Sequence, residues 1–215
     1  MIRVLIVDDE SLVRSGVSMI LEAAEDIEVV GSCDGPRAME TFLLHRPDVV
    51  LLDIRMPEVD GLTVLQQLRS RRDPPRVAML TTFSADEHVV FALRAGAAGF
   101  LLKDSDPEVL VQAVRALAAG GSVLSPQVTG TVINGFLGAQ ISPELHRAVA
   151  GLSPREREIM GLLGEGMSNA EIAEHLFLSV ATVKEYVSAV LLKLGVGNRV
   201  QVAVLAYQVG LVHGS

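Results

Sequence analysis

Short apolar runs and stretches of helical period alternate five times across the first 120 residues, and no other feature of the chain restricts its fold as strongly. The strand-like runs fall at 4–7, 28–32, 49–52, 77–80 and 99–102, and the helical stretches near 11–23, 36–45, 60–71, 85–95 and 107–119. Strands joined through helices pair in parallel, because right-handed crossovers place the helices on the sheet faces. The third run, Val49-Val50-Leu51-Leu52, is continuously apolar, as expected of a strand covered on both sides.

Five such units predict a flavodoxin-like α/β domain with a five-stranded parallel doubly wound sheet, order 2-1-3-4-5, whose ligands sit beyond the carboxyl ends of the strands. The polar residues that end the strands then converge on one rim: Asp8 and Asp9 after the first, Asp53 after the third, Thr81 after the fourth and Lys103 after the fifth. Taken singly, each is an ordinary strand-end or capping residue. Taken together, three carboxylates would repel strongly, and a divalent cation relieves that repulsion more simply than large pKa shifts. Oxygen-only ligands with room for water suit Mg²⁺, and no His/Cys cluster competes.

Bulk properties agree. With 215 residues, 49% of them apolar, the chain has room for two globular domains. No apolar run approaches a membrane span, the first strand meets Asp8 too early for a signal peptide, and the single Cys33 excludes an internal disulfide, so a cytoplasmic protein is expected. Of the net charge of −8, −7 resides in residues 1–150, whereas residues 151–215 hold five Lys/Arg against six acids.

The segments "IVDDE", "LLDIRMPEVDG", "MLTTF" and "GFLLKD" together resemble the receiver domain of two-component response regulators, over about residues 1–120. The resemblance implies that Asp53 accepts a phosphoryl group from a histidine kinase. It further implies that Asp8, Asp9, Asp53 and the backbone carbonyl of Arg55 hold Mg²⁺, with Asp8 acting largely through water. Lys103 and Thr81 would bind phosphoryl oxygens, and Phe100 would follow Thr81 as the switch aromatic. "LLKD", with Asp104 in place of a proline, is similar to the NarL/FixJ subfamily. Arg55 and Phe83, two residues beyond Asp53 and Thr81, would flank the water path and slow hydrolysis of the acyl phosphate.

Residues 121–150 read as a connector with one short helix running from Ser125-Pro126 to about Phe136. From 151 the helix signals are explicit. "SPRE" at 153–156 and "SNAE" at 168–171 are capping boxes, and Ser179 can cap a third helix. Helices are predicted at about 154–164, 169–176, 180–194 and 198–210, an all-α four-helix unit with a helix-turn-helix at its centre. On the third helix Val183, Val187, Val190, Leu191 and Leu194 should face the core and Ala181, Lys184, Glu185 and Ser188 the outside.

This half resembles the LuxR-type DNA-binding domain over about 152–210. The resemblance implies DNA contacts from Lys184, Glu185 and Ser188, joined by Thr182, Asn169 and Arg199. It also implies a homodimer formed on the last helix through Val202, Leu205, Ala206 and Val209, and an inverted-repeat operator; the competing reading of that stripe is simple core packing. Because neutralising phosphates supplies much of DNA affinity, a nearly neutral domain should need a partner copy. The whole reads as a phosphorylation-controlled transcription regulator, not an enzyme, with a sensor kinase, double-stranded DNA and itself as partners and room for RNA polymerase. The rivals are a regulator that never takes phosphate and an aspartyl-phosphate hydrolase; the latter would need a second Asp where Arg55 stands.

Overall fold

The computed structural model describes residues 1–82, 86–124 and 142–212, with 86–88 described by backbone alone. In the first half, β1 (Ile2–Val7), α1 (Ser11–Glu22), β2 (Ile27–Cys33), a 3₁₀ turn, α2 (Ala38–His45), β3 (Val49–Asp53), α3 (Gly61–Arg69), β4 (Arg76–Thr81), α4 (Asp86–Arg94), β5 (Gly99–Leu102) and α5 (Pro107–Ala118) follow one another, and β6 (Val123–Leu124) closes the edge. The parallel sheet has the order β2-β1-β3-β4-β5-β6. The expected order holds and one strand is added. The two residues of β6 are too short to carry a strand signal of their own; they pair because α5 returns the chain beside β5.

Successive strand residues point to opposite faces, and the core divides accordingly. Leu5, Val7, Val50, Leu52, Val77, Met79 and Phe100 pack toward α2, α3 and α4. Val4, Ile6, Val49, Leu51, Ala78, Leu80 and Leu101 pack toward α1 and α5. Every residue of β3 is buried, Asp53 included, which explains its unbroken apolar run.

The second half comprises α6 (Pro143–Ala150), α7 (Pro154–Gly164), α8 (Asn169–Leu176), α9 (Val180–Leu194) and α10 (Arg199–Gln208). Both capping boxes form, and Ser179 accepts from the backbone N–H of Thr182. Phe177, in the left-handed region at φ 54°, ends α8, and α8 and α9 are bent by 109°, the angle of a helix-turn-helix. The helix α6 is a departure from the expected connector: Ser142 caps it by accepting from Leu145 N–H, and Pro143 occupies the first turn. The helix expected at 125–136 lies outside the described residues. No single helix among the described residues is long and apolar enough to cross a membrane.

Candidate functional site

Parallel pairing brings the carboxyl ends of β1, β3, β4 and β5 side by side, and with them the residues that follow. Lys103 Nζ lies 2.8 Å from Asp8 Oδ2, 2.9 Å from Asp53 Oδ2 and 3.3 Å from Glu10 Oε1. Asp8 is 0% exposed and Asp53 4%, while Asp9 is exposed. A lone buried charge would cost several kcal/mol; here each carboxylate shares one ammonium. Burial works against that ammonium, yet hydrogen bonds to Asp8 and Asp53 and their charges outweigh it and hold Lys103 above its ordinary value. For Asp53, burial pushes the carboxyl up, and Lys103 offsets only part of the effect.

One lysine does not saturate three acids. Carboxylate oxygens of Asp8, Asp9 and Asp53 lie within 4.8 Å of one another. Asp8 Oδ2 meets Nζ in an ion pair at 2.8 Å, and Asp8 Oδ1 accepts from Glu10 N–H at 2.9 Å. An oxygen-only ligand set of three gathered carboxylates with one solvent-facing member fits a hard divalent cation such as Mg²⁺.

The backbone around Asp53 is built to hold it. Arg55 N–H donates to Asp53 Oδ1 at 3.4 Å, and Gly61 N–H donates to the Ile54 carbonyl at 3.0 Å. A Cβ on Gly61 would fall 2.0 Å from the Asp53 carbonyl oxygen, so only glycine lets α3 start this close to β3. Gly61→Ala is therefore expected to lower stability by about 3 kcal/mol, toward the upper end for overpacked sites, measured by urea unfolding.

Thr81 is buried at the end of β4 and its carbonyl accepts from Lys103 N–H at 2.8 Å. Its strand partner is Leu102, and Phe100, two residues back, pairs with Met79 and is fully buried on the α4 side. Phe83 lies outside the described residues. Arg55 is exposed at the mouth of the site.

On α9, Val183, Val187, Val190 and Leu194 are buried, Leu191 is half-buried, and Ala181, Lys184, Glu185 and Ser188 are exposed, the division expected from the sequence. Thr182 is half-buried beside the Ser179 cap. Three expectations need correction. Asn169 (2% exposed) and Arg199 (5%) are not on an open face. The stripe expected to pair two copies is covered as well: Val202, Leu205 and Ala206 are core and Val209 is half-buried, because α10 packs along α7. Core packing is what that stripe does here.

Asn198, Arg199, Val200 and Gln201 instead join the two halves. Asn198 Nδ2 donates to the carbonyls of Leu93 (2.5 Å) and Ala97 (2.9 Å), and Gln201 Nε2 donates to Leu93 (3.0 Å). Arg199 donates to the Gly120 carbonyl at 2.9 Å and to that of Met167. Arg69 reaches back to Gly197 at 3.0 Å, and Val200 is buried within the α4 side of the first core. These contacts gather at the amino ends of β4 and β5, the opposite edge from Asp53. Lys184 and Ser188 face the same junction.

Sequence reasoning missed this junction, since its residues follow no helical or strand period. The only local hint was "GNR" at 197–199, legible as a turn and cap but not as a docking element.

Comparison with known proteins agrees with both halves. Residues 4–115 match the response regulator receiver domain family, and residues 150–206 match the bacterial regulatory proteins of the luxR family. The DNA-binding transcriptional activator DevR/DosR of Mycobacterium tuberculosis is 38% identical over 96% of this chain and 94% of its own length. The transcriptional regulatory protein LiaR of Bacillus subtilis is 37% identical over 99% of this chain and 100% of its own. The crystal structure of the response regulator ChrA of a heme-sensing two-component system superposes with a TM-score of 0.54 at 36% identity, covering 98% of each chain. The chain belongs to the two-component response regulators of the NarL, LiaR and DevR group, transcription regulators that join a receiver domain to a LuxR-type DNA-binding domain.

Proposed function

We propose that Asp53 takes a phosphoryl group from a sensor histidine kinase, and that this loading loosens the docking that turns the DNA-reading helix toward the receiver. The observation that carries the reading is the contact of one buried lysine with both Asp8 and Asp53 at the carboxyl edge of the sheet. Phosphoryl transfer asks little covalent chemistry of a protein, only in-line positioning and neutralisation of oxygen charge. Asp53 is the nucleophile. Lys103, held between two carboxylates, is placed to shift its hydrogen bond from Asp53 to an incoming phosphoryl oxygen, and Thr81 is placed to donate to another. Asp8, Asp9, Asp53 and the Arg55 carbonyl would hold Mg²⁺, which supplies charge neutralisation at the transferred group.

Helix α4 supports a route between the two edges. It is the next helix after Thr81, starting at Asp86, it shares one buried core with Phe100 through Val89 and Ala92, and its last turn carries the Leu93 carbonyl that Asn198 and Gln201 hold. A small movement of Thr81 toward a phosphoryl oxygen would be felt by those hydrogen bonds. Released, the second domain would present Lys184, Glu185, Ser188 and Thr182 to a major groove. Its near-neutral charge argues for binding as a homodimer on an inverted repeat. A structural relative at 27% identity, with a TM-score of 0.56 over 97% of this chain and 98% of its own, is described as two RcsB dimers bound to two parallel DNAs.

Incubation with acetyl phosphate and Mg²⁺ should add one phosphoryl mass to the intact chain and none to Asp53→Asn. An unmodified wild-type chain would refute phosphoacceptance. Arg55, exposed beside Asp53, should shield the acyl phosphate from water: Arg55→Ala is expected to hasten dephosphorylation severalfold, followed by the decay of the phosphorylated mass. An unchanged rate removes that role.

A further inference from the structure

Between the amino edge of the receiver sheet and α9 lies a cleft of about 710 Å³. Its walls carry Arg46, Arg69, Arg71, Arg76 and Lys184, against Asp48 and Asp73. Among the described residues none of these five cations is in an ion pair. Asp48 is engaged elsewhere, its Oδ2 accepting from Arg3 N–H at 2.9 Å. Arg69 and Arg76 are partly buried and, among the described residues, donate to the carbonyls of Gly197 and Gly120 respectively. Burial holds both below the ordinary arginine value, and for Arg76 the charge of Arg69 adds to it. A carbonyl satisfies one of a guanidinium's five donors and neutralises none of its charge.

A second observation is independent of charge. Asn169, 2% exposed, lines the same cleft, and its Oδ1 has no hydrogen-bond partner. Buried side-chain amides are satisfied as a rule, so a ligand group is wanted there. Apolar wall from Phe42 lies across the cleft.

We infer that this interdomain cleft is a binding site for a phosphate-bearing small molecule of nucleotide size, which bridges the receiver arginines to Lys184 and holds the two domains docked. Guanidinium forks match phosphate oxygens two at a time, the amide can meet a hydroxyl or ring N–H, and the volume falls within that of small-molecule sites. Such a ligand binds only the docked form, so it would stabilise that form by mass action and compete with DNA for Lys184. The inference requires the domains to be docked but not that Asp53 accept phosphate.

The test is equilibrium dialysis of ATP, and separately of inorganic pyrophosphate, against the full chain in EDTA, which keeps divalent cations from joining anions to Asp53. Saturable binding is expected, unchanged in Asp53→Asn and weakened at least tenfold in the double variant Arg46→Glu/Arg71→Glu. Both of those arginines are exposed and make no described hydrogen bond across the junction, so an unaltered melting temperature should confirm that the double variant folds. ATP bound more tightly than pyrophosphate would mark a nucleotide site, and equal binding a phosphate site; either supports the inference. Absence of saturable binding for both anions, or equal affinity in the folded double variant, overturns it.

Discussion

Lys103→Ala is expected to cost the metal-free protein about 3–5 kcal/mol, and Mg²⁺ is expected to return most of that loss. The magnitude follows from what the lysine leaves behind. Asp8 is 0% exposed and Asp53 4%, both rest on the same ammonium, and the charge of Asp8 already counts among the forces that raise the Asp53 carboxyl. Without Lys103 the two carboxylates face each other in a buried rim. Denaturant unfolding in EDTA and in Mg²⁺ measures both halves of the expectation.

The double variant Lys103→Ala/Asp53→Asn supplies the control, because removing the second charge should recover stability that the single variant lost. The pH dependence has a fixed sign. Asp53 is held above its unfolded value of 3.8, so the folded state binds its proton more tightly. The stabilisation this gives is complete below 3.8 and is lost as pH rises through the folded value. Removing Lys103 takes away a group that lowers the Asp53 carboxyl, so the window should widen and the deficit of Lys103→Ala should shrink on acidification. A Lys103→Ala protein within 1 kcal/mol of wild type in EDTA would mean that the lysine is not what makes the buried carboxylates tolerable. Phosphoacceptance from acetyl phosphate should fall roughly 10²–10³-fold, the usual loss for one oxyanion-stabilising donor.

Asn198→Asp is expected to undock the two domains without phosphorylation. The side-chain oxygen of Asn198 caps α10 by accepting from Gln201 N–H at 2.9 Å, and an aspartate keeps that bond. Its Nδ2, however, donates to two receiver carbonyls, at 2.5 and 2.9 Å, in a position 2% exposed. Aspartate turns both donations into a carboxylate facing carbonyl oxygens. Loss of two buried hydrogen bonds, each worth about 1–3 kcal/mol once its acceptor is orphaned, shifts the docked-to-open ratio by at least tenfold, before repulsion is counted. Small-angle scattering should report a larger radius of gyration for unphosphorylated Asn198→Asp than for wild type. An unchanged radius would show that the Leu93 and Ala97 contacts do not hold the junction. Asn198→Ala separates the effects, since it loses the cap as well and should destabilise α10 by about 1 kcal/mol more.

Much of the receiver was legible because periodicity is a local property. The short apolar runs and the period-3.6 stretches placed five strands and five helices, and strand ends necessarily placed Asp8, Asp53, Thr81 and Lys103 along one rim. Capping residues were equally legible: Ser153 and Ser168 announced α7 and α8 to the residue. The missed helix α6 carried the same device, Ser142 before Pro143, inside a stretch punctuated by Gly138 and Gly151 that reads as loop.

What stayed hidden depends on which surface meets which. A stripe such as Val202, Leu205 and Ala206 has the same spacing whether it packs on its own domain or on a second copy, and in this chain α7 covers it. Asn169 and Arg199 are polar residues at helix starts, positions equally suited to DNA phosphates and to a domain junction. Their burial against Gly120 arises from contacts between halves separated by the connector, about which local sequence says nothing.

The central claim is that loading Asp53 at the carboxyl edge of the sheet releases a domain held at the amino edge. Spin labels at Arg72→Cys and Leu192→Cys, both exposed and on opposite sides of the junction, allow it to be measured directly by pulsed dipolar distances. Acetyl phosphate with Mg²⁺ is expected to replace a single short distance by a longer, broader one in the wild-type background and to leave Asp53→Asn at the short distance. A phosphorylated chain, verified by its mass, that keeps the short distance would contradict the claim.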